Sequence, residues 1–341
     1  MASSRRTGTN ESIDTYHSGG GKDYSSITAW ESDTDVNLVS AQISYVLECY
    51  AGIHTIGQLQ LSAAVTDSSY FRIVRPAAGQ GHKGKPTGDG SNVEFQTTYA
   101  GNWISNAEGT NGISQIQDCV FKQVFDSNIY KAVLSGGYGS AYVGCICYDY
   151  SGNHGKLHAW NAGTSNTPYV CFINCLAING ERAIRLPSND AIRCYNCTAE
   201  NMSQVAVEVT SGSTLISKNC IYEDESITGT HTKTTCIVSS PTGVTYRDSG
   251  NDDYHLDYTD TTAKGQGTDL SADADYAFDD DINQGVMGAK KAGQTRGTSG
   301  KTWDIGFDEY MIDSSFNGVE TPYKLNGVHA EDIAKINGVG N

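Results

Sequence analysis

Apolar side chains recur at every second position over much of the chain. Ile43, Tyr45 and Leu47 alternate with polar or small residues, as do Leu59, Leu61, Ala63 and Val65. Phe71 with Ile73, Val93 with Phe95, and Val205, Val207 and Val209 continue the pattern. A period of two describes strands with one face turned inward. The strands are short and divided by Ser, Gly, Asn or Asp. No run of helical period lies between them, which excludes alternating strand–helix units around a parallel sheet. The best helix candidate in the N-terminal half is Tyr24–Glu31, where Ile27 and Trp30 are three apart and Ser26 or Thr28 can cap the first turn. It predicts a short helix covering one end of a β structure.

A repeat organises the strands. Asp118-Cys119-Val120, Gly144-Cys145-Ile146, Asn174-Cys175-Leu176, Asn196-Cys197-Thr198 and Asn219-Cys220-Ile221 share one shape, with cysteines 26, 30, 22 and 23 residues apart. Periods of about 20–30 residues carrying short strands and no helix are the mark of a β-solenoid, each coil supplying three strands. Stacked coils set equivalent side chains ~4.8 Å apart along the axis. Cysteine, small and apolar, suits such a core stack.

Composition narrows the class. The 38% hydrophobic content supports a core, and charged residues at 18% fall short of what disorder or a coiled coil requires. The 38 glycines against 6 prolines, without a collagen period, fit a fold of many tight turns. The net charge of −16 gives no attraction to nucleic acid or to an anionic membrane. No stretch approaches the ~18 apolar residues of a membrane span. Arg5 and Arg6 have no apolar run behind them, so no secretory signal is expected.

The Asn-Cys phrases, the opening Asp23–Glu31 and the closing Trp303-Asp-Ile-Gly-Phe-Asp-Glu-Tyr310 together resemble right-handed parallel β-helix proteins of the pectate-lyase-like superfamily. Within that group the chain looks most like virion proteins of tailed bacteriophages, over roughly residues 23–312. The resemblance implies an all-β, right-handed parallel β-helix with a short N-terminal cap helix and a C-terminal extension. Residues 1–22 read as a polar arm and 23–312 as the β-helix with its caps. Residues 245–300 would supply the last irregular coil, sealed by Trp303, Ile305 and Phe307. Residues 313–341 form a tail in which Lys324-Leu325-Asn326-Gly327-Val328 recurs as Lys335-Ile336-Asn337-Gly338-Val339. Asn-Gly favours a tight turn. Similar tails end other phage structural proteins, and this one is expected to dock against a neighbour.

Ten cysteines leave three explanations open. Cys171-x3-Cys175 with Cys194-x2-Cys197 superficially resembles a zinc site, but residues three apart on a strand do not share a face. Disulfides between neighbouring coils satisfy the separation rule, yet assembly in a reducing cytoplasm disfavours them. Buried reduced thiols, with Cys119, Cys145, Cys175, Cys197 and Cys220 in one core stack, are the expectation.

Catalytic signatures are sparse. Glu223-Asp224-Glu225, Asp252-Asp253 and Asp279-Asp280-Asp281 fall in predicted turns, where carboxylates usually bond their own backbone. The acid, Gly-His-Gly and Arg-x-Lys series of polygalacturonases is not present in order, and Asn153-His154-Gly155-Lys156 is its nearest echo. No Gly-x-Ser-x-Gly and no phosphate-binding glycine loop occurs. Tyr138, Tyr142, Tyr148 and Tyr150, with Trp160 beyond, could offer sugar or protein contact on a flat β face, although tyrosine also favours strands by propensity. No catalytic residue, metal or cofactor is assigned. The expected role is a non-enzymatic virion component (decoration, spike or fibre), with a polysaccharide depolymerase or lyase and a non-catalytic glycan-binding adhesin as alternatives. Its expected partners are other virion proteins and its own copies, a trimer being one arrangement, with a host surface glycan as a further candidate. Nucleic acid and membrane insertion are not expected, and the expected location is the virion, after assembly in a host cytoplasm.

Overall fold

The computed structural model describes residues 5–82, 84–86, 92–97, 104–107, 113–123, 131–136, 139–149, 157–162, 170–187, 189–257, 259–278, 303–307, 324–325 and 328–329. These residues are mostly strands with few helices, arranged in long parallel sheets of nine, eight and seven strands. Consecutive strands visit the three sheets in turn. Ser44–Cys49 lies in the first sheet, Gly52–Ile56 in the second and Leu59–Ser62 in the third, after which Arg72–Pro76 returns to the first. Three strands thus make a rung, and every third strand pairs in parallel with its counterpart in the next rung.

Alternation drives the packing. In Ser44–Cys49 and Ala191–Tyr195 alternate residues enter one elongated core, which runs from Tyr16 and Trp30 through Phe95, Phe121, Phe172 and Cys197 to Tyr222. Each fully buried large apolar side chain contributes about 1.5–3 kcal/mol. The outward face is also covered in part by the chain itself. Leu270, Tyr276, Phe278 and Trp303 pack on Val143, Ile173 and Tyr195 of the first sheet, while Tyr254 and Phe307 pack on Ile146, Leu176 and Ile178 of the second. The expected last coil is therefore corrected. Trp303, Ile305 and Phe307 are buried, but they lie against the sides of the rungs rather than across an end.

The N-terminal end is closed. The helix Ile27–Asp33 begins at Ser26, whose hydroxyl accepts from the Ala29 amide, and it buries Ile27 and Trp30. A second short helix, Leu38–Ala41, buries Leu38. The buried guanidinium of Arg72 ties this cap to the first rungs by donating to the carbonyls of Glu31 at 3.1 Å and Ser62 at 2.9 Å.

The segment expected to be an arm is partly sheet. Glu11–Tyr16 pairs in parallel with Ser44–Cys49 as the edge of the first sheet. Only Tyr16 of this strand is fully buried and Ile13 is exposed, so its alternation carries little signal. Upstream, Arg5 grips Asp118 in a bidentate pair with contacts of 2.5–3.0 Å. The Arg6 amide donates to Gln115 Oε1.

At the opposite edge, Thr230–Thr234 is mostly exposed and Ile237–Val238 half-buried. Inward positions there turn polar, including Glu225 and His231, which continue the rows of Val207 and Leu215. Inward charge and polarity at an edge discourage strand addition.

Candidate functional site

The corner between the first and second sheets has the most regular chemistry. Asp118, Gly144, Asn174, Asn196, Asn219 and Thr235 all have φ between 50° and 62°. Glycine tolerates this left-handed region, and Asn and Asp enter it more readily than other residues. The sheet register places these corners in one row and the following cysteines, Cys119, Cys145, Cys175, Cys197, Cys220 and Cys236, in another. The cysteines stand in the corner just before each second-sheet strand, not within strands.

Each interior thiol reaches back one rung. Cys145 Sγ donates to the Ile116 carbonyl at 3.5 Å, Cys175 to Tyr142 at 3.4 Å, Cys197 to Phe172 at 3.3 Å and Cys220 to Cys194 at 3.3 Å. Burial raises the pKa of all these thiols, so they stay protonated and poor as nucleophiles. All ten cysteines are free thiols. The zinc-like quartet does not converge, because Cys171 faces the covered outer side of the first sheet whereas Cys175, Cys194 and Cys197 are in the core. Among the described residues no group of three or more His, Cys, Asp or Glu could hold a metal ion. No helix among them is long and apolar enough to cross a membrane.

The aromatic contact surface is corrected. Tyr142 and Trp160 are fully buried and both stack on Phe172, with ring centroids 5.1 and 5.3 Å away. Tyr148 is buried too and donates to Glu94 Oε2 at 2.9 Å. Their positions alternate inward or lie under covering segments, so they present no flat face to a sugar. Tyr138 and Tyr150 lie outside the described residues. In the tail, Lys324–Leu325 pairs antiparallel with Val328–His329, and Asn326 and Gly327 between them lie outside the described residues. The second copy, Lys335, Ile336, Asn337, Gly338 and Val339, lies outside the described residues, as do Asp279-Asp280-Asp281 and Asn153–Lys156.

Three polar constellations escaped the sequence reading. Glu200 ends one second-sheet strand and Glu223 directly follows its neighbour Ile221–Tyr222, with Tyr246 and Thr242 donating to Glu200 Oε1 at 2.6 and 2.8 Å. Burial pushes Glu200 up to about 7, and the Glu223 charge adds to the rise against these two donors.

The second constellation closes the far end of the core. Glu225 Oε2 lies 2.6 Å from His231 Nδ1, and His231 Nε2 lies 2.9 Å from Ser217 Oγ. A carboxylate can only accept, so Nδ1 carries the proton and Nε2 accepts from Ser217. Lys233 also bonds Glu225. Burial alone would raise Glu225, but Lys233 and His231 outweigh it and hold the carboxyl below its usual range. The order is that of a nucleophile–base–acid relay. Ser217 is fully buried, however, with the Tyr222 hydroxyl 3.2 Å away on its other side. The relay satisfies polar groups above the last apolar layer and offers no approach to a substrate.

The third constellation, Ser18 with His54, lies at the opposite end. Its serine is exposed.

Ser18 with His54, and Glu200 with Thr242 and Tyr246, come together from distant positions. Ser217, Glu225, His231 and Lys233 are near in sequence, and no motif marks any of the three clusters. Cys236 did carry a signal, since Thr235-Cys236-Ile237 has the shape of the other phrases with Thr at the corner. No family model, curated protein or solved structure matches the chain.

Proposed function

We propose that the chain is a right-handed parallel β-helix serving as a rigid structural component of a tailed-phage particle: a decoration, spike or fibre element. The carrying observation is the unbroken register of corner residues and thiols from Asp118–Cys119 to Thr235–Cys236. Loads along such a stack are shared by every backbone ladder and by each thiol that bonds the rung before it. The visit of successive strands to three sheets supports the β-helix, and the strong preference for right-handed crossovers between parallel strands supports its hand. The covering of the first two sheets by the chain's own later segments supports a protein that leaves little apolar side surface open. The virion assignment draws on the resemblance of the Asn-Cys phrases and the Lys-x-Asn-Gly-Val tail.

In this reading residues 313–341 dock the rod to other virion proteins or to further copies of itself. The paired strands at Lys324–Leu325 and Val328–His329 bring Leu325 and Val328 into register, a small apolar pair that gains stability when buried against a neighbour. The test is sedimentation and thermal melting of the full chain and of a chain ending at residue 312. The full chain is expected to sediment as an oligomer, and the shortened chain as a monomer that melts cooperatively. Equal assembly of both, or loss of the fold on shortening, would contradict the docking role.

A further inference from the structure

At the closed N-terminal end one serine is both exposed and hydrogen-bonded to a buried imidazole. Ser18 Oγ lies 2.9 Å from His54 Nδ1. His54 Nε2 lies 2.8 Å from the carbonyl oxygen of Tyr50. A carbonyl accepts only, so Nε2 carries the proton and Nδ1 presents its lone pair to the serine. The tautomer is therefore set by a backbone group, in the way an acid sets it in a triad. His54 is fully buried, seated between Tyr16 and Phe95 at centroid distances of 5.0 and 5.7 Å, which holds the ring in place.

Access differs from that of the other serine–histidine pair. Ser18 is exposed, whereas Ser217 is fully buried. Ser18 is followed by Gly19-Gly20-Gly21, where φ is +82° at Gly20 and +76° at Gly21 and nothing stands within 4 Å of a Cβ built on either. A small acyl group can therefore approach the hydroxyl. Burial raises the Tyr16 pKa to about 12, so the phenol packed against His54 stays protonated.

We propose that Ser18 and His54 form a nucleophile–base pair that hydrolyses small carboxylic esters, with the Tyr50 carbonyl fixing the tautomer of the base. Ser18 Oγ attacks the ester carbonyl carbon as its proton passes to His54 Nδ1. Collapse of the tetrahedral adduct breaks the bond to the alcohol oxygen, which takes that proton and leaves. Water then attacks the acyl-serine, giving its proton to Nδ1. Release of the carboxylic acid returns a proton to Ser18, and the net reaction consumes one ester and one water. This activity is independent of the structural role above, since it uses only the capped end.

The probe is an alkyl fluorophosphonate, followed by mass spectrometry of the labelled full chain, alongside hydrolysis of p-nitrophenyl acetate. The adduct is expected on Ser18. Ser18→Ala, at an exposed position, should lower labelling and hydrolysis at least tenfold with an unchanged melting temperature. His54→Phe keeps an aromatic ring in the stack and should lose labelling to a similar degree. Burial holds His54 below the usual histidine range. The groups facing it are His17, edge-on at 5.4 Å, the Tyr16 phenol, and Tyr50, whose ring carries the Lys22 ammonium. The rate should therefore already be level with pH above the ordinary histidine pKa of about 6.5. If Ser18 merely satisfies the second nitrogen of His54, no adduct forms there. No adduct, an adduct on Ser217, or hydrolysis unchanged in Ser18→Ala would overturn the proposal.

Discussion

Asn196 donates its side-chain amide to Asn174 Oδ1 at 3.2 Å, and the two residues occupy the same left-handed corner in successive rungs. Their backbones are tied as well, the Asn174 amide bonding Tyr195 and the Asn196 amide bonding Lys218. The corner thus combines a conformation few residues tolerate with a side-chain bond running along the stack.

Substitutions at the corner should separate these two effects. Asn196→Gly relieves the backbone but loses the amide bond, for an expected cost of about 1 kcal/mol. Asn196→Ala loses the bond and adds left-handed strain of about 1–2 kcal/mol. Gly144→Ala should also destabilise, because φ is +62° and the new Cβ would lie 2.2 Å from Asp118 Oδ1. Urea denaturation of the three variants checks the order.

The thiol row makes a second expectation. Nine cysteines are buried and Cys236 is half-exposed. In the native state a maleimide should modify Cys236 first, and slowly, because its hydrogen bond with Cys220 and its burial both raise its pKa. The others should react only on unfolding. Cys175→Val, between Cys145 and Cys197, should cost about 1–3 kcal/mol through overpacking. Timed alkylation read by mass spectrometry, with melting of the variant, tests both.

Glu200 should make stability depend on pH. Its folded pKa is raised to about 7, chiefly by burial, above the ordinary glutamate value of 4.5. The protonated form is therefore favoured in the fold. Its contribution is complete below about pH 4.5 and is lost as pH rises to about 7. Glu200→Gln, which keeps an acceptor for Tyr246 and Thr242, should flatten this part of the profile and raise the melting temperature at pH 8. A variant with the unaltered slope would assign the dependence elsewhere.

Arg72 should hold the cap. Removing a buried guanidinium costs about 3–5 kcal/mol when it strands an ionic partner, and less here because Glu31 is partly exposed. Arg72→Met is expected to release amide protection over residues 27–41 while leaving the central rungs protected, as read by hydrogen exchange.

The legible parts of the fold were those where geometry restricts residue choice. Alternation such as Val207-Glu208-Val209 located strands, and Ser26 with Ile27 and Trp30 located the cap helix. The first corner was visible because a left-handed residue followed by a tight interior position demands Asn, Asp or Gly and then Cys. A second corner row, at Asp149, Asn179 and Asn201, has the same backbone conformation, and Asn201 bonds Asn179 Oδ1 at 2.6 Å. It went unnoticed because no constant residue follows it. The strand Glu11–Tyr16 was hidden by its exposed outer face. The described residues 246–257, 259–278 and 303–307 were hidden because their buried side chains follow the contours of two sheets. Tyr142 and Trp160 were misread because strand propensity cannot tell which face a tyrosine takes. Ser18 and His54 meet only through the cap, so no spacing announces them.

The most direct measurement of the central claim, an in-register stack of three-strand rungs, is a sulfur anomalous difference map from crystals of the full chain. The account predicts that the sulfurs of Cys119, Cys145, Cys175, Cys197, Cys220 and Cys236 form one row spaced about 4.8 Å apart, with Cys171 off the row. Sulfur peaks for these residues on different faces, or in separate rows, would contradict it.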